Sequence, residues 1–167
     1  MAKGSVFAIL LISVVLIVAL RSFKYGVLSL IPNLMPFAIG FGIWGITSGE
    51  INVGLSTVFG MTLGIVVDDT VHLLTKYLRA RREQNKSPED AVRYAFSTVG
   101  QAIVVTTIVL VTGFLILSFS SFKMNAQMGL LTAMVIVSAL VIDLLLLPAI
   151  LIRANKKGVA SGSSFAE

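Results

Sequence analysis

Two adjacent carboxylic acids stand inside a long apolar part of this sequence. Asp68 and Asp69 follow an uncharged run at 51–67, and the next base, Lys76, lies about 12 Å beyond Asp68 along a helix. A charge at the centre of a membrane span costs at least about 2.5–3.5 kcal/mol, and two neighbouring carboxylates also repel each other. We therefore expect the pair to hold or exchange a proton, as a proton relay requires. The alternative is a hydrogen-bonded pair that only packs against a neighbouring helix.

Two further ionisable side chains could work with this acidic pair. His72 lies four residues after Asp68 and three after Asp69, so a helix would place it on their face. It could pass protons between the pair and water, or it could simply face water or headgroups near the end of the span. Asp143 is a second acid within an apolar run. It could contact the same polar interior, or it could form a hydrogen bond locally between helices.

Hydroxyls and glycines complete the candidate set. Thr106 and Thr107 lie at membrane depth, where either could donate a hydrogen bond to the acidic pair across helices. Threonines in membrane spans also commonly bond their own backbone. Gly60 and Gly64 are small residues four positions apart, a spacing that lets two helices approach closely. We expect these two glycines to serve helix packing.

Other kinds of chemistry have no residues to carry them. The sequence contains no cysteine, which excludes disulfides and thiolate ligands. Serine, histidine and aspartate are present, but no arrangement of them supports hydrolysis, and no glycine-rich loop follows a strand to bind phosphate. Metal-ligand spacings are also missing. The sequence therefore predicts that the protein is not an enzyme and that it binds neither a metal nor a cofactor.

The composition places these residues in a membrane. Of the 167 residues, 56% are hydrophobic and 13% are charged, and the mean hydropathy is +0.96. Soluble domains carry about 25% charged residues, so a soluble enzyme, a secreted disulfide scaffold and a disordered chain are all excluded. About 20 apolar residues span a bilayer as a helix. The uncharged runs predict an all-α bundle of five transmembrane helices, at about 4–21, 29–48, 54–77, 98–119 and 127–152.

The basic residues predict how these helices are oriented. Eleven of the thirteen Lys and Arg residues follow spans one, three or five, and only Lys3 and Lys123 fall on the other side. Cytoplasmic loops carry an excess of Lys and Arg, so we predict an N-terminus outside and a C-terminus in the cytoplasm. Trp44 and Tyr77 lie near span ends, as aromatic anchors do. The net charge of +5 is thus a topology signal, which points to membrane lipid and not to nucleic acid.

The loops predict the remaining organisation. Residues 1–153 form one transmembrane domain, and the small, polar segment 154–167 is expected to be a disordered cytoplasmic tail. Ser87 and Pro88, followed by two acids, are typical of a helix N-terminus. They predict a cytoplasmic interfacial helix over about 88–97 that runs on into span four.

The segment around the acidic pair resembles a helix of a known superfamily. It reads Gly64-Ile65-Val66-Val67-Asp68-Asp69-Thr70-Val71-His72-Leu73. This resembles the fourth transmembrane helix of the resistance-nodulation-division (RND) superfamily, and most of all its MMPL-type exporters, which often read Gly-x-x-Val-Asp-(Tyr or Asp)-x-x-His. Three further stretches agree in order: Arg21-Ser22 before Pro32, Thr106-Thr107 with Gly113-Phe114, and Met128-Gly129-Leu130-Leu131 through Leu147-Pro148-Ala149. The resemblance covers about residues 4–153.

The resemblance implies a larger protein. A half-unit of this superfamily has six spans, with a large periplasmic domain between the first and the second. This chain resembles spans two to six of such a half, or more closely spans 8–12 in the C-terminal half. The implied partners are the missing first span, the periplasmic domain, the other half of the transporter and further copies in an oligomer. No Lys lies at membrane depth, which departs from the drug-efflux members and favours the MMPL type.

A function follows from the resemblance together with the acidic pair. We expect a membrane half-domain of an exporter of lipids or other hydrophobic compounds, driven by the proton motive force, with Asp68 and Asp69 as its proton relay. Its place would be the bacterial inner membrane, as a multi-pass protein, with protons and a hydrophobic substrate as its ligands. The five-helix unit is also similar to sterol-sensing domains. A lipid-binding or regulatory membrane module without transport is therefore the alternative.

Overall fold

The computed structural model describes the backbone of residues 2–47 and 53–162, and all regular secondary structure in these ranges is helical. The helices are α1 (Ala2–Leu20), α2 (Phe23–Leu28), α3 (Leu30–Thr47), α4 (Val53–Glu83), α5 (Pro88–Ala95), α6 (Gln101–Ser118) and α7 (Lys123–Gly162), with a π-helical turn (Phe96–Gly100) between α5 and α6. Four helical segments are long and apolar enough to cross a membrane: Phe23–Thr47, Gly54–Glu83, Pro88–Ser118 and Lys123–Ala154. Helix α1 adds a shorter apolar stretch, Ile9–Leu20. The predicted all-α membrane bundle is confirmed.

Several helices run past the predicted ends of the spans. Helix α4 continues to Glu83 because its last turns contain good helix formers and an ion pair, in which Arg79 Nε lies 2.7 Å from Glu83 Oε2. Helix α7 continues to Gly162, whereas the sequence predicts a tail from residue 154. Alanine and lysine are frequent in that stretch and favour helix. Residues 163–167 of the predicted tail lie outside the described residues.

Helix α7 is the centre of the bundle, since it packs against α3, α4, α5 and α6. Two glycines allow this close packing. A Cβ atom at Gly40 of α3 would lie 2.5 Å from Val135 Cγ2, and one at Gly129 of α7 would lie 2.6 Å from the carbonyl oxygen of Phe114. Any side chain at these positions would force the helices apart. These contacts hold both α3 and α6 close to α7.

The segment after α4 forms a helix that lies against the bundle. The Ser87 hydroxyl accepts a hydrogen bond from the Asp90 N–H at 3.1 Å, so Ser87 caps α5 as its sequence pattern predicts. Helix α5 buries Ala91, Val92 and Ala95 against α4 and α7. The chain then passes through the π-helical turn directly into α6. Helices α5 and α6 are therefore one continuous, irregular helix.

The two predicted aromatic anchors lie inside the bundle, so that prediction is wrong. Trp44 and Tyr77 are both buried. The Tyr77 ring packs edge-on against the Tyr25 ring, with centroids 6.2 Å apart. The sequence positions of Trp44 and Tyr77 give their depth along the helices. The rotation of each helix about its own axis directs the rings into the bundle.

One end of the bundle gathers basic side chains. Lys24 Nζ donates a hydrogen bond to the carbonyl oxygen of Ala154 at 3.2 Å, and Arg82 Nη2 donates to the carbonyl oxygen of Arg21 at 3.3 Å. The ends of α1, α4 and the apolar part of α7 therefore meet near the start of α2. We call this the basic end. Its cytoplasmic location stays a prediction.

Candidate functional site

Three consecutive residues of α4 point in three different directions. Successive side chains are about 100° apart around an α-helix. The Asp68 side chain is 71% exposed, Asp69 is half-buried, and Thr70 is fully buried. Helix α4 thus presents one acid outward, one acid at the edge of the bundle and a hydroxyl to the interior.

The outward direction belongs to a stripe of small and polar residues. Asp68 Oδ1 lies 3.5 Å from His72 Nε2, one turn further along the helix, as their spacing predicts. One and two turns before Asp68, Gly64 and Gly60 face open space, with no atom within 4 Å of a Cβ placed on either. We call these four residues the outer stripe. The predicted packing of the two glycines against a helix is not found within the described part of this chain.

The inward direction leads to a buried polar group shared by three helices. Thr70 Oγ1 lies 2.6 Å from Asn33 Oδ1 of α3, and 3.1 and 3.2 Å from the carboxylate oxygens of Asp143 of α7. Each of the three residues is at most 2% exposed. We call Asn33, Thr70 and Asp143 the inner cluster. It joins α3, α4 and α7 by side-chain hydrogen bonds within the apolar bundle.

The hydrogen-bond capacity of the inner cluster depends on a proton. The Thr70 hydroxyl has a single hydrogen, so it can donate to Asn33 or to Asp143 but not to both. A protonated Asp143 donates to Thr70, which leaves the Thr70 hydrogen for Asn33 Oδ1. An ionised Asp143 accepts a hydrogen bond from the Thr70 hydroxyl, and the Asn33 amide can then turn to donate to Thr70. The Asn33 Nδ2 group is buried and has no partner among the described residues, so such a turn breaks no other bond.

Asp69 stands between the outer stripe and the inner cluster. Its carboxyl interacts electrostatically with Asp68 and His72 on one side. It also interacts with Asp143 on the other side. The geometric link between the two helices is made by Thr70, the residue after Asp69, whose hydroxyl lies 3.1 Å from Asp143 Oδ1 on the buried face of α7.

The two predicted threonines of α6 do not bond the acidic pair. The Thr106 hydroxyl donates to the carbonyl oxygens of Ala102 and Ile103, both at 3.0 Å, within its own helix. Thr107 is buried, and its hydroxyl has no partner among the described residues. For Thr106 the structure agrees with the alternative that the sequence left open, in which a threonine of a membrane span bonds its own backbone.

Two other buried hydroxyls lie on the same helix faces as the acids. Thr62 and Thr132 have no hydrogen-bond partner among the described residues. Thr62 precedes Asp69 by seven residues and Thr132 precedes Asp143 by eleven, so each lies within about 20° of the acid on its own helix. Buried polar groups normally find partners. Water molecules between α4 and α7 could provide them.

Sequence reasoning missed the inner cluster except for Asp143. Asn33 carried a usable signal, because an amide in the uncharged run 25–49 is costly at membrane depth unless it is hydrogen-bonded. Thr70 follows the acidic pair directly, yet nothing in its own position distinguishes it from other span threonines. Among the described residues no three His, Cys, Asp or Glu side chains gather as metal ligands.

Comparison with known proteins adds a family and two relatives. The sequence profile of the MMPL family matches residues 1–163. A membrane protein of Methanocaldococcus jannaschii is 28% identical over 141 residues, which are 84% of this chain and 36% of that protein. The mycolic acid-containing lipids exporter MmpL11 of Mycolicibacterium smegmatis is 29% identical over 162 residues, which cover 87% of this chain and 17% of the exporter. The chain thus spans well under half the length of either relative.

Proposed function

Because the chain belongs to the MMPL family of multi-pass membrane proteins, we propose that it forms the proton pathway in the membrane part of a lipid exporter. The observation that supports this most strongly is the series of three acids, Asp68, Asp69 and Asp143, which crosses from the exposed face of α4 to a buried site on α7. The substrate class is proposed from the relative MmpL11, which is named as a lipids exporter.

Protons would move along this series in steps. Asp69 stands between Asp68, which contacts His72, and Thr70, which contacts Asp143, so in this proposal a proton on Asp69 would pass in either direction. Arrival at Asp143 would redirect the hydrogen bonds of Thr70. Since those bonds join α3, α4 and α7, the protonation state of Asp143 would change how the three helices hold one another. This is how a proton could drive helix motion.

Access to the acids from the end opposite the basic end would follow the seam between α4 and α7. Thr62 lies on the same face of α4 as Asp69, and Thr132 on the same face of α7 as Asp143, so their buried hydroxyls would bind the water that carries protons. Valine at either position keeps the shape and removes the hydroxyl. We therefore expect Thr62→Val and Thr132→Val to slow proton uptake without unfolding the bundle.

The outer stripe indicates where the other half of the exporter would pack. Asp68 and His72 are exposed on a membrane helix, where contact with hydrocarbon is costly. Gly60 and Gly64 leave room for a second helix at close distance. A six-span partner half that covers the stripe would both shield the acid and supply its exchange partner. The region matched by this chain covers only 36% and 17% of the two relatives. The rest of those proteins is long enough for such a half and for a domain outside the membrane.

The test is replacement of each acid by its amide in the complete exporter. Asp68→Asn, Asp69→Asn and Asp143→Asn variants would be reconstituted in vesicles, with a pH-sensitive dye inside and lipid export measured in parallel. Each should abolish proton-driven export while the protein still inserts and binds lipid. Glu89→Gln, an exposed acid on α5, is the matched control and should transport normally. Export that survives all three amide changes would refute the relay, whereas an unmodified protein that binds lipid without exporting it would favour a lipid-binding module.

A further inference from the structure

A cleft with basic walls lies at the basic end, between the end of α1 and the last turns of α4. Its volume is about 360 Å³, within the range of roughly 300–1,000 Å³ that is usual for ligand pockets. The residues that matter for its chemistry are Leu20, Arg21, Leu78, Arg79, Arg82 and Glu83. We call this the basic cleft. It is separate from the acids of α4 and α7.

The basic cleft carries positive charge that the protein itself does not neutralise. Three guanidinium groups and one carboxylate line it, which leaves a net charge of +2. Glu83 pairs with Arg79 at 2.7 Å. Arg82 donates one N–H to the carbonyl oxygen of Arg21. In the described part of the chain the Arg21 guanidinium forms no ion pair. Most N–H donors of Arg21 and Arg82 are therefore available to an anion.

Arg21 occupies a backbone position that normally belongs to glycine. The Ser22 N–H donates to the carbonyl oxygen of Ile17 at 3.3 Å, and the Arg21 N–H donates to that of Val18 at 3.2 Å. This pair of bonds is a Schellman motif, which ends α1 with Arg21 in the left-handed region at φ 46°. An arginine is strained there, whereas a glycine is not. From this backbone position Arg21 lines the cleft.

Apolar residues line the cleft together with the charged ones. Leu20 and Leu78 are buried beneath the arginines. Beyond them, the outer face of α1 is a continuous run of exposed aliphatic side chains that includes Val14, Val15 and Val18. A molecule with an anionic head in the cleft could lay an acyl chain along this face. A free anion has no acyl chain and would not contact the aliphatic face of α1.

We propose that the basic cleft binds the phosphate headgroup of an anionic phospholipid from the leaflet at the basic end. Arg21 and Arg82 contact the phosphate oxygens in the paired geometry that guanidinium groups form with phosphate. The acyl chains follow the aliphatic face of α1. Basic pockets between membrane helices recognise anionic headgroups in this way. The site does not depend on the proton pathway.

The experiment measures lipid binding to the purified chain in detergent by native mass spectrometry. Phosphatidylglycerol should bind more tightly than phosphatidylcholine of the same chain length. Arg82→Gln and Arg21→Gly should each weaken phosphatidylglycerol binding about fivefold. Arg21→Gly is the decisive variant, because glycine suits the backbone at this position. Its resistance to unfolding should be kept or raised, so weaker binding cannot come from misfolding.

Two further variants separate the cleft from general charge attraction. Glu83→Gln removes the one carboxylate of the cleft and frees Arg79, so it should bind phosphatidylglycerol more tightly. Arg93→Gln removes a base at the same end but outside the cleft, and should bind as the unmodified chain does. An Arg93→Gln effect as large as that of Arg21→Gly would show diffuse attraction and overturn the site.

A competition arm distinguishes a lipid from free phosphate. Inorganic phosphate at the concentration of the added phosphatidylglycerol should fail to displace it, because phosphate lacks the acyl chains that contact α1. Displacement by phosphate at equal concentration would show that the cleft binds a free anion, and the lipid assignment would be wrong. Unchanged phosphatidylglycerol binding in both Arg21→Gly and Arg82→Gln would overturn the proposal altogether.

Discussion

Replacement of Thr70 by valine tests whether the inner cluster holds α3, α4 and α7 together. Valine has nearly the shape of threonine but has a methyl group in place of the hydroxyl. The hydroxyl of Thr70 is fully buried, and it lies within hydrogen-bond distance of Asn33 and Asp143. The change therefore removes both links between helices without opening a cavity. Polar groups on α3 and α7 lose their partner at the same time.

The size of the effect can be worked out from these bonds. A net hydrogen bond contributes about 0.5–1.5 kcal/mol, and bonds between membrane helices average about 0.6 kcal/mol with a maximum near 1.7. Two lost links thus predict a decrease of about 1–3 kcal/mol in the free energy of unfolding for Thr70→Val. The matched control is Thr106→Val, since the Thr106 hydroxyl bonds only the backbone of its own helix. Its effect should stay below about 0.5 kcal/mol.

The measurement uses unfolding of the purified chain in mixed micelles by added SDS. Trp44 is the only tryptophan and is buried in α3, so its fluorescence reports the helix that the cluster fixes. A double-mutant cycle of Thr70→Val with Asn33→Leu should give a coupling energy of about 0.5–2 kcal/mol. If Thr70→Val and Thr106→Val lower stability equally, or if the coupling is zero, the cluster does not join these helices.

The remaining predictions concern packing, capping and orientation. Gly40→Ala should destabilise the bundle by about 1–3 kcal/mol, because the new methyl would overlap Val135. Gly64→Ala has open space around it and should leave the stability of the isolated chain unchanged, although it should impair the complete exporter if a partner half packs on the outer stripe. Ser87→Ala should cost about 0.5–2 kcal/mol through loss of the α5 cap, seen as faster amide hydrogen exchange in α5 alone. For orientation, the absence of native cysteines allows single-site labelling. Gln84→Cys in the α4–α5 loop should react only after permeabilisation of the cell, and Ser121→Cys in the α6–α7 turn should react from outside. The reverse labelling pattern would show that the basic end is not cytoplasmic.

Depth in the membrane could be read from the sequence, but the rotation of each helix could not. Uncharged runs give the length of a span, and the spacing of Asp68 and His72 gives a shared face within one helix. Contacts between helices depend on which way each helix turns. This is why Trp44 and Tyr77, placed correctly near the ends of their helices, were wrongly expected to anchor in the headgroup region.

The inner cluster shows the same limit for the candidate site. Thr70 lies 37 residues after Asn33 and 73 before Asp143, so no periodicity within one helix could pair them. Asp143 was identified as an acid with two open roles, and the structure gives it a partner on α4, Thr70, which also contacts Asn33 of α3. The small-residue spacing at Gly60 and Gly64 predicts a capacity for close packing. Only the presence of a second helix on that face decides whether the capacity is used.

The arrangement of Asp68, Asp69 and Thr70 on consecutive positions has a consequence for how this helix can change over evolutionary time. Insertion or deletion of a single residue earlier in α4 would rotate all the following side chains by about 100° around the helix axis. Asp69 would then take the direction that Asp68 or Thr70 has now. The exposed, half-buried and buried directions would all be occupied by different side chains. Gaps should therefore be tolerated in the exposed connection at 84–87 but not in the helix before it. The number of residues in α4 before Asp68 therefore determines which side chain faces the exposed surface and which faces the interior.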